Sequence, residues 1–356
     1  MKMDFKKIYV QDAVNADPLW RARAQETLAR FPGAEVISVK SHWQIEELFE
    51  ADPADWMRTK RENLVLGIKS GLRHTLNGRS ANFIAASASN GCLSSCQYCY
   101  VSRRKGGSNP LTVFVNIEQI AASIRRHSNK LGPKLEPDQC DPRYWTYDIG
   151  CNADLSLDAL VCDNPGYLVR AFADDEAMPY AKATFATKTV NDDYWLALDP
   201  RGKTRIRYSV MPQRIARYVD IGTSPISDRL KSVNQLVAAG YEVHLNFSPI
   251  IIYGGDDWRR DWAELWREID DTLSVEAKRQ LMCEVFFLTH SEALHNVNLN
   301  WNPKGEDFLW SPANQVPKQT APDTIVYDYT MRRRELARFT AGLNKYLPYC
   351  PVRYSF

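Results

Sequence analysis

Apolar residues recur along the chain in two alternating rhythms. Short β-prone runs occupy 82–88, 144–150, 181–188, 204–210, 241–249 and 283–289, and stretches of helical period lie between them. Ile117, Ile120, Ala121 and Ile124 share one helical face. Leu230, Val233, Leu236 and Val237 share another, and Gly240 follows as the expected C-cap. Trp258, Trp262, Leu265, Trp266 and Ile269 keep the same spacing, and such a stripe is expected to pack into a core rather than to bind a ligand. Strand and helix alternating in this way predict an α/β fold, a partial (β/α)6 parallel barrel. In the complete eight-fold barrel, ligands sit at the C-terminal ends of the strands.

The flanks break this rhythm. Residues 1–80 are polar with amphipathic runs at 20–31 and 43–49, which predicts a helical N-terminal region. After 289 the stretch 301–323 is rich in Pro, Asn and Lys and reads as irregular, before a helix near 330–346 and the terminal PYCPVRYSF. The expected organisation is therefore a helical region at 1–80, a barrel at 81–290, and a C-terminal extension at 291–356 that helps to close the open side.

Composition narrows the class. The 356 residues carry a net charge of +2 and are 44% hydrophobic, without the basic excess of a dedicated duplex-DNA binder. Two local trios, Arg103-Arg104-Lys105 and Arg332-Arg333-Arg334, would suit phosphate contacts, although a solvated face is their commoner role. No apolar run reaches the ~20 residues of a membrane span, and the start has no signal-peptide core, so no membrane association and a cytoplasmic location are expected.

Eight cysteines are too few for a disulfide scaffold of this length, and three of them cluster. Cys92, Cys96 and Cys99 form a C-x3-C-x2-C pattern in Asn90-Gly91-Cys92-Leu93-Ser94-Ser95-Cys96-Gln97-Tyr98-Cys99-Tyr100, just after the first predicted strand. A zinc ribbon needs a second cysteine pair, whereas Cys140, Cys151, Cys162, Cys283 and Cys350 are isolated. Three thiolates suit a four-iron cluster with one iron left open. His127, His244, His290 and His295 share no ligand spacing and are expected in packing or solvent roles, with His290 alone placed after a barrel strand.

This motif, with an aromatic before its last cysteine and its place after the first strand of a βα repeat, resembles the radical S-adenosylmethionine superfamily. The resemblance implies a 4Fe-4S cluster on Cys92, Cys96 and Cys99, with S-adenosyl-L-methionine chelated to the open iron. It also implies an external one-electron reductant and a 5′-deoxyadenosyl radical that removes an unactivated hydrogen. The longer strings GCLSSCQYCYVSRRKG, VFVNIEQI, DIGCNADLSLDAL, FATK, TRIRYSV, TSPISDRL and AAGYEV resemble the spore photoproduct lyase family over about 81–289. That likeness implies that Cys151 donates hydrogen to a product radical and that Tyr98 and Tyr100 return it. It also implies that Tyr98, Lys188 and Ser209 contact the cofactor, the last two near its carboxylate. Cys151 follows the second predicted strand, Lys188 ends the third and Ser209 lies near the end of the fourth, so the barrel reading places them on the same rim.

Two departures bear on the substrate. Ala153 stands where a Ser is expected two residues after the hydrogen-donating cysteine, and 289–310 is less basic than a DNA-contacting segment. Both favour a branch outside spore formers that includes a protein splicease. The expected function is accordingly excision of a tyramine unit at a Tyr-Gly site of a ribosomal precursor peptide, with a separate peptide-recognition protein. Splitting a thymine dimer in DNA by radical carbon–carbon cleavage is the second expectation, and an iron–sulfur regulatory protein without turnover is the third.

Overall fold

A computed structural model of the chain describes residues 3–103 and 109–356, so Arg104 and Lys105 of the first basic trio lie outside the described residues. The chain divides into two compact units that cut across the segments 1–80, 81–290 and 291–356. One comprises Met1–Leu93, Val101–Ile206 and Ala239–Tyr241; the other comprises Ser94–Tyr100, Arg207–Ala238 and Glu242–Phe356.

In the first unit the N-terminal residues are not the helical region expected from sequence. KIYVQ (Lys7–Gln11), EVISV (Glu35–Val39) and NLVLG (Asn63–Gly67) are parallel strands. Runs of five residues rich in Ile, Val and Leu are too short to show a helical face, and their β-branched side chains pack well on a pleated surface. They join Leu111–Phe114 and Ser89–Asn90 in a five-stranded sheet. Ile8, Leu64, Leu66, Leu111 and Val113 from that sheet are buried with Leu157 and Val161. The helix Pro18–Ala29 does form, with Asp17 as its N-cap accepting from the Leu19 N–H at 2.8 Å.

The barrel strands of this unit run in the order Thr75–Leu76, Phe83–Ile84, Trp145–Asp148, Ala181–Thr187 and the first half of Thr204–Val210. Phe83–Ile84, Trp145–Asp148 and Ala181–Thr187 are parallel. The predicted strand at 82–88 thus contributes only Phe83–Ile84 to the barrel, and the chain then crosses to the other sheet at Ser89–Asn90. The helices Ile117–Leu131 and Asn164–Ala173 bury the faces their spacing requires, including Ile117, Ile120, Ala121 and Ile124.

In the second unit the other half of Thr204–Val210 is followed in the sheet by Glu242–Ile250, Cys283–Phe287 and Val352–Ser355. The last two pairings are parallel, so the chain terminus adds a strand beside the sixth predicted one. The strands make the mixed α/β, curled half-barrel sheet that the alternation predicts. The tryptophan stripe lies on the helix Asp257–Thr272 and is core packing as expected. Trp258, Trp262, Leu265, Trp266 and Ile269 are all buried, and Trp262 meets Phe247 and Phe339 edge to face at 5.5 and 5.1 Å.

The stretch after 289 is ordered rather than irregular. Helices Glu292–Trp301 and Pro303–Leu309 are separated by Asn302, because Pro303 cannot donate a backbone hydrogen bond and disfavours helical geometry before it. Thr289–Ser291, Ala321–Tyr327 and Gln315–Lys318 then form an antiparallel three-stranded sheet. Among the described residues no helix is long and apolar enough to cross a membrane.

Candidate active site

In the first unit three loops that follow barrel strands are tied together by hydrogen bonds. The Gly91 N–H, next to Cys92, donates to the Asn152 carbonyl, next to Cys151, at 3.0 Å. The Asn152 amide donates to the Ser87 hydroxyl at 2.8 Å. Gly91 has φ +102°, and a Cβ there would lie 2.9 Å from the Pro110 carbonyl oxygen, so the turn into Cys92 requires glycine. Cys151 is half-buried.

Asp154 is the centre of this arrangement, and the sequence reading missed it. Its carboxylate caps the short helix Leu155–Asp158 through the N–H groups of Ser156 and Leu157. It also accepts from the Thr187 hydroxyl at 2.7 Å, the Lys188 N–H at 3.0 Å and the Thr189 hydroxyl at 3.3 Å. One buried side chain therefore holds the Cys151 loop against the Lys188 loop. Burial raises its pKa, and these hydrogen bonds only partly offset the rise. Burial likewise pushes Asp158 up to about 8; a hydrogen bond from Ser89 opposes the shift and the neighbouring Asp154 charge adds to it.

In the second unit the cluster segment is pinned by its backbone. The N–H of Ser95 donates to the Ile221 carbonyl at 2.8 Å and that of Gln97 to the Val219 carbonyl at 2.9 Å. Tyr98 donates its phenol to Asp220. Burial, reinforced by the Asp220 charge, holds that phenol well above its usual pKa. Asp220 pairs at 3.5 Å with Arg229, which is fully buried and also donates to the Ser209 carbonyl at 2.5 Å and the Thr223 hydroxyl at 2.6 Å. Two predicted residues 111 positions apart, Tyr98 and Ser209, are thus joined by a carboxylate and a guanidinium. Tyr100 is 55% exposed, unlike Tyr98.

Cys92 and Cys99 are half-buried and Cys96 is buried, with no disulfide on any of them, so the donor set suits an iron–sulfur cluster. Cys92, Cys151 and Lys188 lie in the first unit; Cys96, Tyr98, Cys99, Tyr100 and Ser209 lie in the second.

Two histidines expected in packing or solvent roles are instead brought together. His290 and His295 both hydrogen-bond Glu306 Oε2, at 3.1 and 2.6 Å. Burial alone would raise the Glu306 pKa, but the bonds from His290, His295 and Asn298 outweigh it and hold the carboxyl below its usual range. Of the second basic trio, Arg334 is paired at 2.8 Å with buried Glu335, which also accepts from Arg259 and Arg338.

The family model described as spore photoproduct lyase matches residues 6–308. Over 346 residues the chain is 25% identical to the spore photoproduct lyase of Geobacillus sp. (strain Y412MC61), covering 96% of this chain and 89% of that one. It is 23% identical over 344 residues to the spore photoproduct lyase of Bacillus subtilis (strain 168), with the same coverage. A solved spore photoproduct lyase complexed with dinucleoside spore photoproduct shares the fold at TM-score 0.84, with 20% identity and full coverage of both chains. A variant with bound AdoMet and dinucleoside spore photoproduct does so at TM-score 0.85, also with 20% identity and full coverage.

Proposed function

The chain belongs to the spore photoproduct lyase family, whose members are radical S-adenosylmethionine lyases that cleave carbon–carbon bonds, and on that premise we propose that its substrate is a thymine dimer of the spore photoproduct type in DNA. The observation that carries this reading is the extent of the likeness, which spans 96% of the chain in each of the two relatives. It reverses the order expected from sequence, in which tyramine excision came first.

Cys92, Cys96 and Cys99 would hold the 4Fe-4S cluster, and Tyr98, Lys188 and Ser209 would hold S-adenosyl-L-methionine. When bound, and with one electron from an external reductant, the two cofactors would supply radical chemistry of the 5′-deoxyadenosyl type for removing a hydrogen atom from the substrate. The protein's part is to fix its own groups. Asp154 sets the backbone at Lys188, and Arg229 sets that at Ser209. Cys151 gives its thiol hydrogen to the product radical and becomes a thiyl radical. Tyr98 and Tyr100 restore the thiol by passing a hydrogen atom to it, and the 5′-deoxyadenosine formed by the first abstraction would be the source that restores the tyrosines. Asp220, as acceptor of the Tyr98 hydroxyl, fixes the orientation of that group.

Peptide cleavage remains a second reading on one observation. Ala153 has no hydroxyl at the position where the family likeness leads one to expect a Ser. The test uses anaerobically reconstituted, reduced protein with S-adenosyl-L-methionine. One tube receives dinucleoside spore photoproduct, and another receives a Tyr-Gly precursor peptide with its recognition protein. Restored thymine in the first tube is expected. An untouched dinucleotide beside a peptide lighter by one tyramine would overturn the proposal. Replacing Cys92, Cys96 or Cys99 by Ala should abolish iron loading and turnover; full cluster absorbance in all three variants would remove the ligand assignment. Cys151→Ala should divert the product radical to side products, and an unchanged product distribution would deny it the donor role.

A further inference from the structure

The chain carries a second constellation of metal-type ligands, outside the cysteine motif. His290 sits on the strand Thr289–Ser291, His295 on the helix Glu292–Trp301 and Glu306 on the helix Pro303–Leu309. One ligand atom from each, His290 Nε2, His295 Nδ1 and Glu306 Oε2, lies within 4.8 Å of the others, and His290 and Glu306 are 2% and 4% exposed. We infer that His290, His295 and Glu306 form a binding site for a divalent cation of the zinc class, with a water as fourth ligand.

Three features support this. The donor set, two imidazoles and one carboxylate, is one that zinc uses with three protein ligands and an open position. The spacing is close to what coordination demands. Ligand atoms at about 2.0–2.1 Å from a tetrahedral ion lie about 3.3 Å apart, and the His290–Glu306 separation is 3.1 Å. The 2.6 Å between His295 and Glu306 is a hydrogen-bond distance that would have to open by about 0.7 Å to take a cation in place of the proton. The ligands are also oriented from behind, as metal ligands usually are. Asn298 donates to Glu306 Oε1 at 2.6 Å, which turns Oε2 toward the histidines, and His295 stacks on Trp310 with ring centroids 4.0 Å apart.

The site also reaches the cluster segment. The same Asn298 amide donates to the Gln97 carbonyl at 3.0 Å, and the Gln97 amide donates to the Asn302 carbonyl at 2.9 Å. A Cβ at Gly305 would overlap the Gln97 side chain, so the helix carrying Glu306 lies directly against the residue that follows Cys96. A cation here would stiffen the two helices that bear on the cluster segment. This inference does not depend on which substrate the enzyme takes.

Cluster-loaded full-length protein would be equilibrated with zinc chloride, dialysed against metal-free buffer, and analysed for zinc by mass spectrometry and for zinc ligands by X-ray absorption. The expected result is about one zinc per chain with only nitrogen and oxygen neighbours near 2.0–2.1 Å. His295→Ala and Glu306→Gln should each lower zinc retention by about tenfold or more, taking the loss known for outer-shell changes as a lower bound. Zinc no higher than in a metal-free control, sulfur neighbours near 2.3 Å, or unchanged retention in Glu306→Gln would each overturn the inference. If His295→Ala fails to fold, the isosteric Glu306→Gln carries the test, with circular dichroism and cluster absorbance as its controls.

Discussion

Asp154 in the first unit and Asp220 in the second are both buried carboxylates that fix a loop at the end of a barrel strand, yet they are held by different means. Asp154 collects neutral donors, three backbone N–H groups and two hydroxyls, and its pKa rises. Asp220 is set against the guanidinium of Arg229 and the phenol of Tyr98. A cage of neutral donors buries one charge and spreads its cost over many bonds. An ion pair buries two charges and concentrates the dependence in one partner. The first arrangement can lose a donor and persist, whereas the second should fail sharply.

The largest expected effect therefore comes from Arg229→Met, which leaves the Asp220 charge buried without its cation. A loss of about 3–5 kcal/mol is expected in urea unfolding, as for other broken buried pairs. The double variant Asp220→Asn with Arg229→Met should recover much of it. A single-variant loss below about 1 kcal/mol, as for a surface pair, would erase the contrast between the units.

A pH-dependent effect is expected from the neighbouring Asp158. The folded protein holds this proton up to about 8, whereas the unfolded chain releases it near about 4. Between those values the folded state binds more protons, so this group's contribution to stability falls as pH rises, and it levels off outside that window. Asp158→Asn should therefore gain stability relative to the wild type as pH rises through the window. A difference independent of pH would mean that Asp158 is ionised in the fold.

The smallest effect sharpens the comparison from the other side. Asp154→Ala removes a helix cap and strands the Lys188 N–H, at a cost of about 2 kcal/mol. Because that N–H sits at the proposed cofactor contact, equilibrium dialysis should also show weaker binding of S-adenosyl-L-methionine, while Asp154→Asn should retain part of it. Unchanged binding in both variants would separate Asp154 from the cofactor.

The parts of this molecule that could be read along the chain are those whose information is local. Cys92, Cys96 and Cys99 fall within eight residues, and the faces of the helices at 117–131, 226–238 and 257–272 repeat every three to four positions, so covalent spacing alone places them. The three N-terminal strands were missed because five-residue runs, one of them on a mostly exposed edge, show too little alternation to be told from loop or helix. The link from Tyr98 through Asp220 and Arg229 to Ser209 had no local signature, since it joins residues more than a hundred positions apart. His290, His295 and Glu306 looked unrelated at intervals of five and eleven, until the break at Asn302-Pro303 turned the second helix back onto the first. Chain spacing settles which donors a short loop or a helix face presents. Which distant carboxylate or imidazole meets them depends on the strand order and on the turns between helices, because those decide which loops share a wall.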